Sequence, residues 1–270
     1  MPAQRPYLTI VIPAYNEQSR LGPTLASVLA WARGSRHSVE VIVVDDGSVD
    51  ATSDVARRGI EKAGVDSAVL VNERNRGKGY SLRRGVLAAR GELVLVCDAD
   101  LSTPIQETDR LIERMNRLGH GLVIGSRALR ESKVEIHQNP VREMMGKVFN
   151  KAVRLLTGLP FHDTQCGFKL MTRRDVAPIF KRARIDGFSY DVELLYVAAR
   201  QGLPIEEVAV SWRNAPGSKV GILTDPFKML RDVARIRRWH QQGVYQQVRV
   251  NEHQDTEPRD SEQEDADART

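Results

Sequence analysis

Short apolar runs alternating with helix-patterned segments constrain this chain more than any other feature, because that alternation builds a parallel α/β sheet. Residues 7–12 form an apolar run closed by Pro13, and 39–44 reads as a β-branched run of the kind buried on both faces of a sheet. Residues 68–71, 93–97 and 122–125 repeat the pattern. Helical spacing fills 18–33, 50–61 and 79–90, with Gly34 and Gly91 as stops. A further helix opens at Thr103 and Pro104 and runs to Leu118. One helix between successive strands is the βαβ repeat, so the expected fold is α/β: a mostly parallel, Rossmann-like sheet flanked by helices. The second half is more mixed, with strands expected at 167–171 and 205–212 and helices at 141–157, 189–201 and 225–241.

In such sheets ligands bind beyond the carboxyl ends of the strands. The acids of this chain concentrate there. Glu17 follows the first strand, Asp45 and Asp46 the second, and Asp98 and Asp100 the fourth. Carboxylates converging on one crevice repel one another unless a cation or hydrogen-bond donors compensate. A hard divalent ion, Mg²⁺ or Mn²⁺, suits oxygen ligands of this kind. Asp50 is read differently, as the cap of the helix after it. The segment from Asn75 to Gly79 opens a helix with two glycines and Lys78, which suggests backbone amides and a charge offered to a phosphate.

The net charge of +5 is uneven. Residues 251–270 carry −6 and lack periodicity, so they are expected to be an acidic disordered tail; residues 1–250, read as a single domain, carry +11. A basic body fits an anionic partner. No helix-turn-helix, zinc or aromatic-sheet signature points to nucleic acid. His120, His137 and His162 are dispersed and form no zinc pattern, while Cys97 and Cys166 give no disulfide framework, which fits a reducing compartment. Cys97 reads as a small buried residue on a strand. No run reaches the roughly 20 apolar residues of a membrane span. With a strand beginning by Leu8, no signal peptide is expected, and the expected location is cytoplasmic with peripheral membrane contact. Two helices would make that contact. On 141–157, Met144, Met145, Val148, Phe149, Ala152 and Leu155 are read as one apolar face; on 225–241 the apolar side is Leu230, Val233, Ile236 and Trp239. Both carry basic flanks, a pattern found at membrane interfaces and on core-packed helices alike.

Taken in order, Val11 to Glu17, Val44 to Ser48 with Asp50, Asn75 to Gly79, and Asp98-Ala99-Asp100 resemble family-2 glycosyltransferases, inverting enzymes of the GT-A fold. Gly125 to Arg127, Asp163 to Lys169 and Phe188 to Leu195 look like the dolichyl-phosphate β-glucosyltransferase branch, with polyprenyl-phosphate mannosyltransferases the near alternative. The resemblance implies transfer of a hexose from UDP-glucose or GDP-mannose to a polyprenyl or dolichyl phosphate. It implies that Pro13, Tyr15, Glu17 and Asp45 hold base and ribose, that Asp46 supports their loop, and that Lys78 approaches the nucleotide. It makes Asp98 and Asp100 the metal motif, Asp98 holding ribose or metal-bound water, and it sets Asp163 and Asp191 near sugar and acceptor. Arg127 joins Lys78 as a candidate to offset leaving-group charge. A phosphate acceptor needs no strong base; a hydroxyl acceptor would need one, from Asp191 or Asp163. Two readings stay open beside this one: a transferase with a soluble hydroxyl acceptor, and a non-catalytic nucleotide-sugar binding module.

Overall fold

The computed structural model describes residues 5–61, 63–136, 140–213 and 225–246; the expected tail lies outside them, as does His137. The main sheet holds β1 (Leu8–Ala14), β2 (Val39–Asp45), β3 (Asp66–Val71), β4 (Leu93–Val96), β5 (Leu122–Ser126), β7 (Lys169–Thr172) and β8 (Ile205–Ala209) in the order β3-β2-β1-β4-β7-β5-β8. All neighbours pair in parallel except β7, which runs antiparallel to β4 and β5. The mostly parallel sheet expected from the sequence is borne out.

Every residue of β1, β2 and β4 is buried, because helices cover both faces. Alternate side chains go to opposite layers. Leu8, Ile10 and Ile12 of β1, with Val41 and Val43 of β2, pack on α1 (Leu21–Gly34), α2 (Thr52–Glu61) and α4 (Glu107–Leu118). Val11, Ile42 and Val44 face the other way, into a layer with Leu82 and Val86 of α3 (Lys78–Ala88). That second layer also contains α5 (Pro140–Thr157), α6 (Arg173–Arg182), α7 (Tyr190–Arg200) and α8 (Asp225–Gln241). Glu40 interrupts the apolar run of β2 and is buried. Its carboxylate accepts from Thr9 Oγ1 at 2.6 Å and Arg90 Nε at 2.7 Å, so the charge is compensated.

Four sequence readings need correction. The run 205–212 is two strands: β8 ends at Ala209, and β9 (Ser211–Arg213) pairs instead with β6 (Lys133–Ile136) in a separate parallel ribbon. α6 was not anticipated, since Pro178 lies inside it and breaks its helical signal. Cys97 is buried as expected but lies just past the end of β4. On α5 the expected single apolar face divides: Phe149 is buried, whereas Met144, Val148 and Leu155 are exposed. Among the described residues no helix is long and apolar enough to cross a membrane.

Candidate active site

Strand register brings the predicted acids to one edge. Ala14 lies opposite Asp45 and Val11 opposite Val96, so the segments after β1, β2 and β4 leave the sheet side by side. β7 starts where its neighbours end. Its first residue, Lys169, pairs with Val96 and Ile124, which sets residues 163–168 at the same edge.

The β1 and β2 loops are tied together. Asp45 accepts from Ser48 N at 3.1 Å, and Ser48 Oγ accepts from Asn16 N at 2.9 Å. Pro13 is buried within β1 and Tyr15 is half-buried just beyond it. Asp50 accepts from Thr52 N at 3.0 Å, capping α2 as read from the sequence. Glu17 is gripped by Arg20 through Nε at 2.6 Å and Nη2 at 2.5 Å, and Arg20 Nη1 stands 3.8 Å from Asp100.

Asp46 is buried and accepts from Asn72 Nδ2 at 2.7 Å, Arg76 N at 3.0 Å and Gly77 N at 2.7 Å. This corrects the reading of the Asn75–Gly79 segment: the anion that these amides bind is the protein's own carboxylate. Gly77 adopts φ 103°, and a Cβ there would stand 2.4 Å from the Asp186 carbonyl oxygen. The loop thus wedges against residues 185–187 and turns Lys78 toward Asp98, with Nζ 2.6 Å from Oδ1. Gly167 backs the same carboxylate: a Cβ would come 2.2 Å from Asp98 Oδ2. Past Asp100 the chain takes φ 48° at Leu101, a left-handed conformation costing about 1–2 kcal/mol. Leu101 N to Asp98 O at 3.1 Å and Ser102 N to Asp100 Oδ1 at 3.0 Å hold it.

On the β5–β7 side each acid has its own cation. Asp163 accepts from Arg127 N at 3.0 Å, Nε at 2.7 Å and Nη2 at 2.9 Å. Asp191, at the start of α7, accepts from Lys169 Nζ at 2.7 Å. Burial alone would raise the Asp163 pKa, but the Arg127 guanidinium brings it down to about 2. Burial dominates at Asp191 and raises its pKa, against the pull of Lys169 and Lys78. Asp98 goes the other way: burial is outweighed by Lys78, and its pKa is lowered. Lys78 answers in kind, its ammonium favoured by Asp98 and Asp191 over the burial that opposes it.

The predicted residues therefore share one edge, but as ion pairs rather than as a bare acid cluster. Arg20 and Lys169 join the site without a clear signal in the sequence. Arg20 stands three residues after Glu17, a spacing that places the two side chains together in a helical turn. Lys169 closes the Asp163–Lys169 motif, yet a lysine opening a buried strand gives no sign of its partner. Glu193 is a third such residue. It is buried and accepts from Arg184 N at 2.9 Å, Ile185 N at 2.9 Å and Tyr245 Oη at 2.7 Å, fixing the segment on which Gly77 rests. Among the described residues no group of three or more His, Cys, Asp or Glu side chains is placed to hold a metal unaided. Asp100 keeps its side chain partly exposed at the edge. That suits an ion held by one or two carboxylates and completed by a substrate's phosphate oxygens, the usual way Mg²⁺ is bound.

The model of glycosyl transferase family 2 matches residues 9–180, which includes both sides of this edge except Asp191. The chain is 35% identical over 254 residues to a dolichyl-phosphate β-glucosyltransferase of Dictyostelium discoideum, covering 90% of this chain and 78% of that relative. This chain belongs to glycosyl transferase family 2. It is a glycosyltransferase. The Drosophila melanogaster enzyme of the same description is 38% identical over 240 residues, covering 85% of this chain and 74% of that one. Among solved structures, mannosyl-3-phosphoglycerate synthase from Rubrobacter xylanophilus superposes with TM-score 0.65 at 21% identity, covering 90% of this chain and 77% of that chain. A glucosyl-3-phosphoglycerate synthase from Mycobacterium tuberculosis, solved with Mn²⁺ and UDP, superposes with TM-score 0.60 at 22% identity, covering 86% and 78%. At these identities the likeness speaks for the glycosyltransferase fold, GT-A, expected from the sequence.

Proposed function

We propose that this family-2 glycosyltransferase moves glucose from UDP-glucose to a polyprenyl phosphate of the dolichyl type, with inversion at the anomeric carbon. The observation that carries the acceptor is how the two acids nominated as bases are held: Arg127 keeps Asp163 ionised, and Asp191, its pKa raised by burial, is sealed from solvent with Lys169. Asp163 is held by Arg127 through three hydrogen bonds and Asp191 by buried Lys169. A carboxylate with a pKa of about 2 is a poor proton acceptor near neutral pH. An ionised phosphate brings its own nucleophilic oxygen and needs no base, only positioning and cationic surroundings. The glucosyl donor is supported by the names of relatives at 31–38% identity, which are dolichyl-phosphate β-glucosyltransferases.

Departure of the nucleoside diphosphate builds negative charge on its phosphate oxygens, and fixed cations aimed at that charge lower the barrier. Lys78 is suited to this, since its side chain is 22% exposed and lies at the edge beside Asp98. We assign Arg127, 32% exposed, to the same charge as the second cation at the edge. Asp45 and Glu17, held by Ser48 and Arg20, would bind ribose and base together with Pro13 and Tyr15 at the end of β1. Asp46 keeps the Lys78 loop in register. Asp98 and Asp100 fit a divalent ion, Mg²⁺ or Mn²⁺, which when bound supplies Lewis-acid neutralisation of the diphosphate.

The test is a transfer assay on the purified chain with UDP-glucose and GDP-mannose, each offered polyprenyl phosphate or the matching polyprenol, with and without chelator. Glucosyl transfer to the phosphate, none to the alcohol and loss on chelation are expected. Comparable turnover with the alcohol would sink the phosphate-acceptor reading, and a preference for GDP-mannose would sink the glucosyl one.

A further inference from the structure

α5 turns an apolar row outward. Phe149 and Val153 enter the core beside Met229 and Val233 of α8. On the opposite side of the helix stand Met144, Val148 and Leu155, 61%, 65% and 78% exposed. Steps of four and seven residues put these three on one stripe. Lys151 and Arg154 are exposed along the same helix. α8 packs against α5 and divides its chemistry cleanly: Met229, Val233 and Ile236 are buried, while Lys228, Arg231, Arg235 and Arg238 form an exposed stripe at helical spacing. Two neighbouring helices thus present a row of large aliphatic side chains and a row of bases, both directed away from the core.

We propose that the outward faces of α5 and α8 form a docking surface for an anionic lipid bilayer, with Met144, Val148 and Leu155 entering the headgroup–acyl boundary and the α8 stripe meeting the headgroups. An apolar stripe on a helix with basic surroundings is the chemistry that binds such an interface. The charge sign selects anionic over zwitterionic lipid. α5 is also bonded to the site. Asn150 Nδ2 donates to the His162 carbonyl, and Thr164 Oγ1 donates to Asn150 Oδ1 at 3.2 Å, on either side of Asp163. The helix seated on the bilayer would therefore be hydrogen-bonded to both chain neighbours of Asp163, coupling the lipid surface to the Arg127–Asp163 corner. That consequence rests on the lipid-phosphate reading; the docking surface does not.

The experiment is vesicle flotation of the full chain without donor or acceptor, using pure phosphatidylcholine vesicles and vesicles with about a third phosphatidylglycerol. Binding to the anionic vesicles is expected, and it should weaken as salt rises. The M144Q/V148Q/L155Q variant should bind roughly tenfold more weakly. R231E/R238E, which alters no buried side chain, should also lose binding and guards against misfolding of the first variant. Transfer to a short, water-soluble prenyl phosphate should survive in both variants; its failure in the wild type would strike the function and leave the docking surface standing. Equal flotation of the variants and wild type would overturn the proposal. So would a wild-type dimer in sedimentation velocity that M144Q/V148Q/L155Q dissolves, since the row would then seat a second copy.

Discussion

Lys78–Asp98 and Lys169–Asp191 are the same ion pair in two settings. Their contacts match, 2.6 Å and 2.7 Å, but the side chains of the first are 22% and 35% exposed and those of the second 1% and 5%. The first lies after β4, on a loop shaped by Asp46 and Gly77. The second is sealed between β7 and α7, with Lys169 Nζ also donating to the Cys166 carbonyl. An open pair can trade its partner for a ligand's charge, because solvent already shares in compensating it. A sealed pair cannot, because separating it leaves a charge in a low-dielectric interior. The edge thus divides into a part that can respond to substrate and a part that holds the response in place.

Breaking the sealed pair should give the largest effect, and it should fall on stability. Lys169→Met leaves Asp191 buried without its cation, which typically costs about 3–5 kcal/mol. Denaturant unfolding followed by fluorescence measures this directly. The double variant K169M/D191N, which removes both charges, should recover a substantial part of the loss. If K169M unfolds within about 1 kcal/mol of wild type, the pair belongs with surface ion pairs and the contrast disappears.

The same contrast explains what was legible in the sequence. The βαβ alternation fixes which segments end at one edge, so Glu17, Asp45, Asp46, Asp98 and Asp100 were placed together from spacing alone. Their compensation was not legible. Arg20 reaches Glu17 within one turn, a local signal, but Lys169 meets Asp191 because β7 reverses direction and delivers its first residue beside α7. Nothing in a four-residue strand announces that reversal. The Asn75–Gly79 loop reads as offering amides to a ligand, yet Asp46, some thirty residues earlier in the chain, takes those of Arg76 and Gly77. Motif spacing locates chemistry along the chain; which charge answers which is decided by long-range packing.

Opening the exposed pair should give a smaller change in stability and a large one in rate. Lys78→Met leaves Asp98 partly solvated, so unfolding should shift by less than about 1 kcal/mol. If Lys78 faces the charge that grows on the departing diphosphate, losing it should lower kcat by about 10²–10³-fold, the range for removing one preorganised electrostatic contact. Steady-state kinetics on K78M and K169M, beside their unfolding curves, then place the two lysines on different axes. A K78M enzyme with unchanged kcat and a raised KM would make Lys78 a ground-state binding group instead.

The smallest effect concerns Asp163, which is buried like Asp191 but shifted in the opposite sense. Its carboxyl titrates at about 2 in the folded state because Arg127 outweighs burial, whereas an unfolded aspartate titrates near 3.9. A folded pKa below the unfolded one means that the unfolded chain binds the proton more tightly. The stabilisation is therefore complete above about pH 4 and is lost as pH falls toward 2, amounting to roughly 2 kcal/mol. Asp191, with its pKa raised, contributes with the opposite sign and cannot supply this loss. Unfolding free energies of wild type and Asp163→Asn, measured from pH 6 to pH 2, should converge as the acid limit is approached. Parallel curves would show that Arg127 does not hold Asp163 ionised, and would return Asp163 to candidacy as a base.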